Sequence, residues 1–134
     1  MTLPPKSPIF IPIRKALELH ERQIRLYGGD PGIRDLGLLE SALAMAQSGL
    51  GDRYFHTFPF EMAAAYLFHI VRNHPFVDGN KRTGAVVALV FLSLNGVVVD
   101  MPEEDFERFV RDVATGKMLK PEIASLLKKH SPMH

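Results

Sequence analysis

The sequence contains no cysteine, which excludes disulfide bridges, a thiolate nucleophile and any zinc site built on cysteine. It also has no large excess of charge of either sign. Its 16 lysine and arginine residues nearly balance its 15 aspartate and glutamate residues, and the net charge is +1. Such a chain has no strong overall field toward nucleic acid or an anionic membrane, so no direct nucleic-acid binding is expected. The absence of cysteine fits a reducing compartment, and we expect a cytoplasmic protein.

Long hydrophobic runs are also missing. The longest nearly uncharged segment, residues 84–99, is interrupted by Asn95 and Gly96 and is shorter than the roughly 18 residues that a membrane span requires. Residues 1–12 contain four prolines and lack the apolar stretch of a secretory signal peptide. We therefore expect a protein that neither crosses a membrane nor is secreted.

What the sequence does have is the composition of an ordinary globular domain. Its 134 residues are 46% hydrophobic and 23% charged, which argues against a disordered chain, a collagen-like repeat or a coiled coil. No internal repeat or linker is visible in it. We predict a single domain over residues 1–134, in which residues 1–12 form a proline-rich lead and residues 128–134 a frayed tail.

Hydrophobic periodicity predicts an all-α fold, a bundle of about six helices of which two are central and buried. The central helices are predicted over residues 60–73 and 80–94, where nearly every side is apolar. Pro75 and the pair Asn95-Gly96 are predicted to end them. Asp35 is predicted to cap the helix that precedes them.

The outer helices carry their apolar residues on one face. The first is predicted over residues 13–29, and its predicted inner face consists of Ile13, Leu17, Ile24 and Leu26. His20 stands among charged neighbours and is interpreted as part of a solvated face. A later helix is predicted from apolar residues at helical spacing: Phe106, Phe109, Val110 and Val113. A last short helix is predicted to start at Pro121.

The unusual feature of the sequence is the short connection between the two central helices, residues 74–84 (HPFVDGNKRTG). A connection between buried helices is expected to be a simple polar turn, whereas this one carries an imidazole, a carboxylate, an amide and two cations. Because buried core lies on both sides, these groups must gather at one mouth of the bundle. The candidate site residues are His74, Asp78, Gly79, Asn80, Lys81 and Arg82.

Four of these six residues suit an anion such as a phosphate group. The first turn of a helix that starts at Asn80 presents unpaired backbone N–H groups and the positive end of the helix dipole. Gly79 allows the backbone to approach a ligand closely. Lys81 and Arg82 add full positive charge, and the Asn80 side chain can donate a hydrogen bond to phosphate.

The other candidates suit phosphate-transfer chemistry. Asp78 is placed to hold Mg²⁺ through one oxygen, and His74 to accept a proton from an incoming hydroxyl. Each residue alone also has a structural interpretation: the carboxylate caps a helix, the glycine serves a turn, the cations are solvated, and the imidazole binds a carbonyl. Spacing alone leaves both interpretations open.

The segment HPFVDGNKRTG resembles the signature of the Fic/Doc superfamily, H-x-F-x-(D/E)-(G/A)-N-(G/K)-R. Lysine after the asparagine is the form seen in the death-on-curing (Doc) toxins of that superfamily. The resemblance extends to residues 28–43 and 63–76, which are similar to the segments that precede the motif in death-on-curing proteins. It covers most of the chain, roughly residues 17–99.

The resemblance implies a Fic fold and an enzyme that uses ATP and Mg²⁺ to modify a hydroxyl of a target protein. It implies that His74 is the general base, that Asp78 binds the metal ion and that Phe76 is a buried anchor of the loop. The implied phosphate contacts are Asn80, Lys81 and Arg82, next to Gly79.

Two positions depart from the Fic enzymes that transfer AMP. Lys81 stands where those enzymes have a second glycine, and Ala85 where they have another arginine. Both departures match death-on-curing proteins, which transfer a terminal phosphate and whose described target is elongation factor Tu. The resemblance therefore implies a toxin of a toxin–antitoxin module, a kinase of a translation factor that blocks translation. Transfer of AMP is the alternative within the superfamily.

A third interpretation comes from a different functional class, a catalytically silent Fic-fold protein that acts through an antitoxin partner. The intact motif argues against lost catalysis. Many Fic proteins carry an inhibitory (S/T)-x-x-x-E-(G/N) helix, and the nearest match here, residues 57–62, ends in Met62 and is discounted. Control in trans is therefore expected, and the resemblance implies an antitoxin of Phd type.

Two further features have weaker implications. Residues 49–59 are predicted to form a loop or flap, at the place where the superfamily has a segment that pairs with the target backbone. An ordinary loop held by Tyr54 and Phe58 is an equally open interpretation. His69 and His74 are five residues apart and do not converge on a metal ion, so a zinc site is rejected and His69 is interpreted as a core or rim residue.

Overall fold

The computed structural model describes residues 7–132 of the chain. This part forms six α-helices and one short hairpin, which confirms the predicted all-α fold. The helices are α1 (Ile13–Tyr27), α2 (Leu36–Gln47), α3 (Phe60–Asn73), α4 (Asn80–Leu94), α5 (Glu103–Ala114) and α6 (Lys120–Lys129). The antiparallel strands β1 (Gly49–Leu50) and β2 (Arg53–Tyr54) form the hairpin. No helix in this part of the chain is both long and apolar enough to span a bilayer.

Helix α3 is the centre of the bundle and packs against α2, α4 and α6. Its buried side chains are spread around the whole helix, which explains why its sequence is apolar on nearly every side. Gly84 lets α4 approach it closely, because a Cβ atom there would lie 3.2 Å from Leu67 Cδ1 and 3.3 Å from the Leu67 carbonyl oxygen. The first turns of α4 are thereby fixed against the core.

The predicted ends of the central helices agree with the structure, and so does the predicted cap of α2. Asp35 Oδ1 accepts a hydrogen bond from the Leu38 N–H at 3.1 Å, which satisfies a backbone donor of the first turn. Asn95 terminates α4, and its backbone N–H donates to the Phe91 carbonyl oxygen. The cap and the helix ends depend on residue types at neighbouring positions of the sequence, which is why the sequence pattern predicts them.

Helix α1 differs from its predicted inner face. Its buried residues are Ala16, Leu19 and His20, whereas Leu26, on the last turn, is 68% exposed. The interpretation of His20 as a solvated residue is wrong, since its side chain is only 3% exposed. Its charged neighbours face solvent on other sides of the helix, while the imidazole faces the connection between α3 and α4.

Both ends of the described chain are attached to the bundle. The Ile11 N–H donates to the Tyr66 hydroxyl at 2.9 Å, and burial raises the pKa of that phenol to about 12. At the other end α6 continues through Lys129, and the buried Ser131 hydroxyl donates to the Leu127 carbonyl oxygen at 2.8 Å. The prediction that the chain frays at residues 128–130 is therefore wrong.

The rest of that prediction concerns the chain's ends. Residues 1–6 and 133–134 of the predicted lead and tail lie outside the described residues. The single-domain boundary of 1–134 stays a prediction.

A cluster of two imidazoles and an ammonium group joins α3 to α6. Lys120 Nζ lies 3.0 Å from His69 Nε2 and 3.3 Å from His56 Nε2, and 5.7 Å from the centroid of the Phe68 ring. Burial, aided by the Lys120 charge, lowers the pKa of His69 to about 4, and the same two causes lower the pKa of His56. Both rings are therefore neutral acceptors for the ammonium group at neutral pH.

Acidification is expected to destabilise the protein through this cluster. In the unfolded chain His69 has its ordinary pKa of 6.5, whereas in the folded chain it resists protonation until the pH approaches 4. The unfolded state therefore binds more protons between these values, and the free energy of unfolding falls as the pH drops through this window. Urea unfolding at pH 6.5 and at pH 4 is expected to show a smaller loss of stability in His69→Gln than in the wild type. Equal losses in the two proteins would contradict this assignment.

Candidate active site

The connection between α3 and α4 reverses the chain with two left-handed residues. His74 has φ 52° and ψ 55° and ends α3, where its N–H donates to the Ile70 carbonyl oxygen at 3.1 Å. Gly79 has φ 80° and precedes the first residue of α4. A Cβ atom on it would lie 3.3 Å from Ile24 Cδ1, so glycine meets both the conformation and the space that this position requires. The loop between them is short and sharply turned.

Asn80 holds the loop closed on itself. Its Oδ1 accepts the Phe76 N–H at 2.9 Å, and its Nδ2 donates to the Phe76 carbonyl oxygen at 2.9 Å. Asn80 is 5% exposed and the Phe76 side chain is fully buried, which confirms the expected burial of the phenylalanine. This arrangement leaves a single Nδ2 hydrogen for the phosphate contact predicted for Asn80, so its side chain serves first as a clamp.

A second segment, residues 29–35, braces the same loop from outside, and we call it the brace. The Arg34 guanidinium donates through Nε to the His74 carbonyl oxygen at 2.6 Å and through a terminal nitrogen to the Asn73 carbonyl oxygen at 2.8 Å. The Pro75 carbonyl oxygen accepts the backbone N–H groups of Arg34 and Asp35. Position 74 is thus held through its main chain, which leaves its side chain exposed.

The brace also holds Asp78. Its Oδ2 accepts the Asp30 N–H at 2.8 Å, while the Val77 N–H donates to the Gly32 carbonyl oxygen at 3.0 Å. Within residues 7–132 the second carboxylate oxygen, Oδ1, accepts no hydrogen bond and is available for a cation. Sequence reasoning missed the brace, because its Gly- and Pro-rich composition signals a turn but not the partner of that turn.

His20 closes the loop from the α1 side. Its ring stacks on the Phe76 ring, with centroids 3.7 Å apart and planes inclined by 5°. Its Nε2 lies 2.9 Å from the Asp78 carbonyl oxygen, a hydrogen bond in which the imidazole N–H donates. The residue that the sequence pattern assigned to solvent therefore contacts the candidate site directly.

A cleft of about 550 Å³ opens beside the start of α4. The first turn of α4 lines it with Gly79, Asn80, Lys81 and Arg82. The opposite walls come from α1, with Gln23 and Tyr27, and from α5, with Phe106 and Arg111. A volume of this order accommodates a small-molecule ligand. The structure therefore brings the four predicted phosphate-binding positions together at one cavity.

The charge of this cleft suits an anion. No acidic residue occupies the first turn of α4, and no side chain caps its N-terminal backbone N–H groups. The Lys81 and Arg82 side chains are exposed, and the Arg82 guanidinium carbon lies 4.2 Å above the centroid of the Tyr27 ring. Arg111 adds a cation that sequence reasoning missed, because nothing in the pattern shows which helix faces the loop. Glu103 and Glu107 stand at the rim on α5.

His74 and Asp78 do not line this cleft but lie on the loop that borders it. Among residues 7–132, no group of three or more histidine, aspartate or glutamate side chains is arranged to hold a metal ion. A hard cation at Asp78 Oδ1 would therefore take its remaining ligands from phosphate oxygens and water, as Mg²⁺ commonly does. The donor set fits a shared magnesium ion and does not form a complete cage.

Comparison with known proteins identifies the family. The sequence pattern of the Fic/DOC family matches residues 10–92, from the lead into the second half of α4. The chain belongs to the Fic/DOC family. It is 37% identical over 114 residues to the protein kinase doc of Escherichia phage P1, which covers 84% of this chain and 88% of that protein. It is 38% identical over 91 residues to the toxin Doc of Mycolicibacterium smegmatis, which covers 66% of this chain and 70% of that protein.

In this Fic/DOC protein the predicted flap is a short hairpin. The pair Gly49 and Tyr54 and the pair Leu50 and Arg53 face each other across β1 and β2. The hairpin is attached to the bundle by Tyr54, whose ring contacts the Phe10 ring edge-on at 5.5 Å. Phe55 remains 68% exposed. The aromatic contact fits the interpretation of a loop held by Tyr54, and pairing of the hairpin with a target backbone stays a prediction.

The discounted match to an inhibitory Fic helix has a structural explanation in this member of the Fic/DOC family. Glu61 Oε1 accepts the Thr57 N–H at 3.1 Å at the start of α3. The threonine and glutamate of that match therefore form a local contact at a helix N-terminus.

Proposed function

We propose that the protein is a Doc-type toxin of a toxin–antitoxin module that transfers the terminal phosphate of ATP to a hydroxyl of a translation factor. The observation that carries this proposal is the convergence of the four motif positions Gly79–Arg82 on a cleft at an uncapped helix N-terminus. Membership of the Fic/DOC family and the relatives named protein kinase doc and toxin Doc support it. Elongation factor Tu is the proposed target by resemblance, and modification would block translation in the cytoplasm.

In this proposal some of the candidate site residues bind the nucleotide and its metal ion, and one accepts a proton. The N–H groups of the first turn of α4, with Lys81 and Arg82, would bind phosphate oxygens of ATP. Asp78 Oδ1 would hold Mg²⁺, which supplies charge neutralisation of the phosphates when bound. His74, whose main chain is fixed by Arg34, would accept the proton of the target hydroxyl. Its exposed side chain leaves room for a protein substrate to approach.

Terminal phosphate transfer is favoured over AMP transfer by Lys81 and Ala85. Lysine at position 81 adds a side chain and a charge where the AMP-transferring enzymes have glycine, and Ala85 in the cleft wall replaces their second arginine. The phage relative is itself named a protein kinase.

Activity of this kind requires restraint in the cell that produces it. An antitoxin of Phd type is the proposed partner, because the nearest inhibitory match within the chain is occupied by the local contact of Thr57 and Glu61. No direct contact with nucleic acid is proposed, given the net charge of +1.

The proposal is tested with ATP labelled at either the α or the γ phosphate. Purified protein is incubated with elongation factor Tu and Mg²⁺, and label on the factor is measured; we expect transfer from the γ position alone. A parallel reaction with a chelator is expected to show none, and one with His74→Ala a rate about 10²- to 10⁴-fold lower. Transfer of label from the α position would show that the protein is an AMP transferase and not a kinase. Absence of transfer to a panel of translation factors would contradict the enzymatic proposal and favour a silent binding protein.

A further inference from the structure

His20 contacts three successive parts of the loop that carries the candidate site. Its ring lies flat on the Phe76 ring at 3.7 Å, and its Nε2 binds the Asp78 carbonyl oxygen at 2.9 Å. A Cβ atom on Gly79 would lie 3.6 Å from its Cδ2, so the imidazole also covers the glycine that starts α4. No other side chain of α1 is hydrogen-bonded to this loop within the described residues.

The imidazole is an unusual choice for this position if packing were its only task. A buried leucine or phenylalanine would fill the same space without the cost of burying a polar ring. The ring N–H instead satisfies the carbonyl of Asp78, whose carboxylate is held from the other side by the Asp30 N–H at 2.8 Å. Residue 78 is thus fixed at both its main chain and its side chain.

We propose that His20 is a positioning residue for Asp78. It acts through the backbone of that residue, so that Oδ1 keeps one direction relative to the start of α4. This inference rests on the proposed function, in which Asp78 binds the magnesium ion of a nucleotide. Groups that orient a metal ligand from behind typically affect metal affinity or activity about 10- to 100-fold when they are removed.

Two substitutions separate the hydrogen bond from the stacking contact. His20→Phe keeps an aromatic ring over Phe76 but removes the donor to Asp78. His20→Gln keeps a side-chain N–H at about the reach of Nε2 but removes the ring. If His20 positions Asp78, the phenylalanine variant binds magnesium more weakly while it stays well folded. The glutamine variant then binds magnesium as the wild type does but is less stable.

The experiment measures the Mg²⁺ concentration that gives half-maximal phosphate transfer, alongside the melting temperature. We expect His20→Phe to raise this concentration about 10-fold or more, with kcat largely restored at saturating Mg²⁺. We expect His20→Gln to melt at a lower temperature with a Mg²⁺ dependence near that of the wild type. Unchanged Mg²⁺ dependence in His20→Phe, or equal shifts in both variants, would overturn the proposal, because a purely structural role does not distinguish the donor from the ring.

A second readout does not depend on turnover. Calorimetric titration of each protein with Mg²⁺ and ADP is expected to show weaker magnesium-dependent binding for His20→Phe alone. If the wild type binds Mg²⁺-ADP and the phenylalanine variant binds it equally, the role of His20 is contradicted while the proposed function stands. If the wild type itself binds no magnesium nucleotide, the proposed function fails and the inference falls with it.

Discussion

Replacing His74 by alanine is expected to lower the rate of phosphate transfer about 10²- to 10⁴-fold, the usual contribution of a general base. The side chain is exposed, and what holds this position is its main chain: the carbonyl oxygen accepts from Arg34 at 2.6 Å and the N–H donates to Ile70. The substitution removes the imidazole and keeps both of these bonds. The loss is therefore expected in kcat, with little change in the melting temperature or in the binding of Mg²⁺-ADP.

His74→Asn is the matched control for the backbone. Position 74 has φ 52°, a conformation that asparagine tolerates better than alanine. If His74→Asn is as inactive as His74→Ala but melts at or above the temperature of the alanine variant, the defect lies in the missing base. If either variant keeps more than about a tenth of the wild-type rate, His74 is excluded as the general base. The rate would then fall less than about 10-fold, whereas removal of a general base lowers it about 10²- to 10⁴-fold.

Replacing Phe76 by alanine is expected to destabilise the protein by about 3–5 kcal/mol, a large part of the roughly 5–15 kcal/mol of a typical domain. The side chain is fully buried, and its ring stacks on that of His20 at 3.7 Å. Truncation removes the ring and leaves a cavity beneath the loop. It also leaves one face of the buried imidazole without a neighbour. Urea unfolding measures the loss, and activity is expected to fall with it.

Phe76→Leu serves as the control, because it retains most of the apolar volume and leaves a smaller cavity. It is expected to unfold at a urea concentration between those of the wild type and the alanine variant. Unfolding of Phe76→Ala at the wild-type urea concentration would show that the loop does not depend on this anchor.

The elements that local patterns determine were predictable from the sequence. The bounds of α3 and α4 follow from uniformly apolar stretches closed by Pro75 and by Asn95-Gly96, and the cap at Asp35 follows from one residue type before a periodic run. The residues of 74–82 stood out in the sequence because a simple polar turn between buried helices does not need an imidazole, a carboxylate, an amide and two cations, and their roles stay predictions. The cleft at Gly79–Arg82 then follows from where α4 begins.

The parts that depend on contacts between distant segments were not predictable from periodicity. The brace is paired with the loop through Ile33 and Phe76, which are far apart in the chain. His20 looked solvated because a periodicity argument counts imidazole as polar and its neighbours are charged, although its ring is buried against Phe76. Arg111 joins the cleft only because α5 crosses near the start of α4. These features need the relative placement of helices, which no local pattern contains.

The brace has a consequence for any attempt to transplant this loop into another scaffold. A graft of residues 74–84 alone would carry every titratable group of the motif. It would omit the Arg34 guanidinium, which donates to the His74 carbonyl oxygen, and the backbone N–H groups that donate to the Pro75 carbonyl oxygen. It would also omit the imidazole of α1. The side chains of the motif would then be present without the contacts that fix the conformation of the loop. A graft that keeps these contacts has to include α1, the brace, α3 and α4 together.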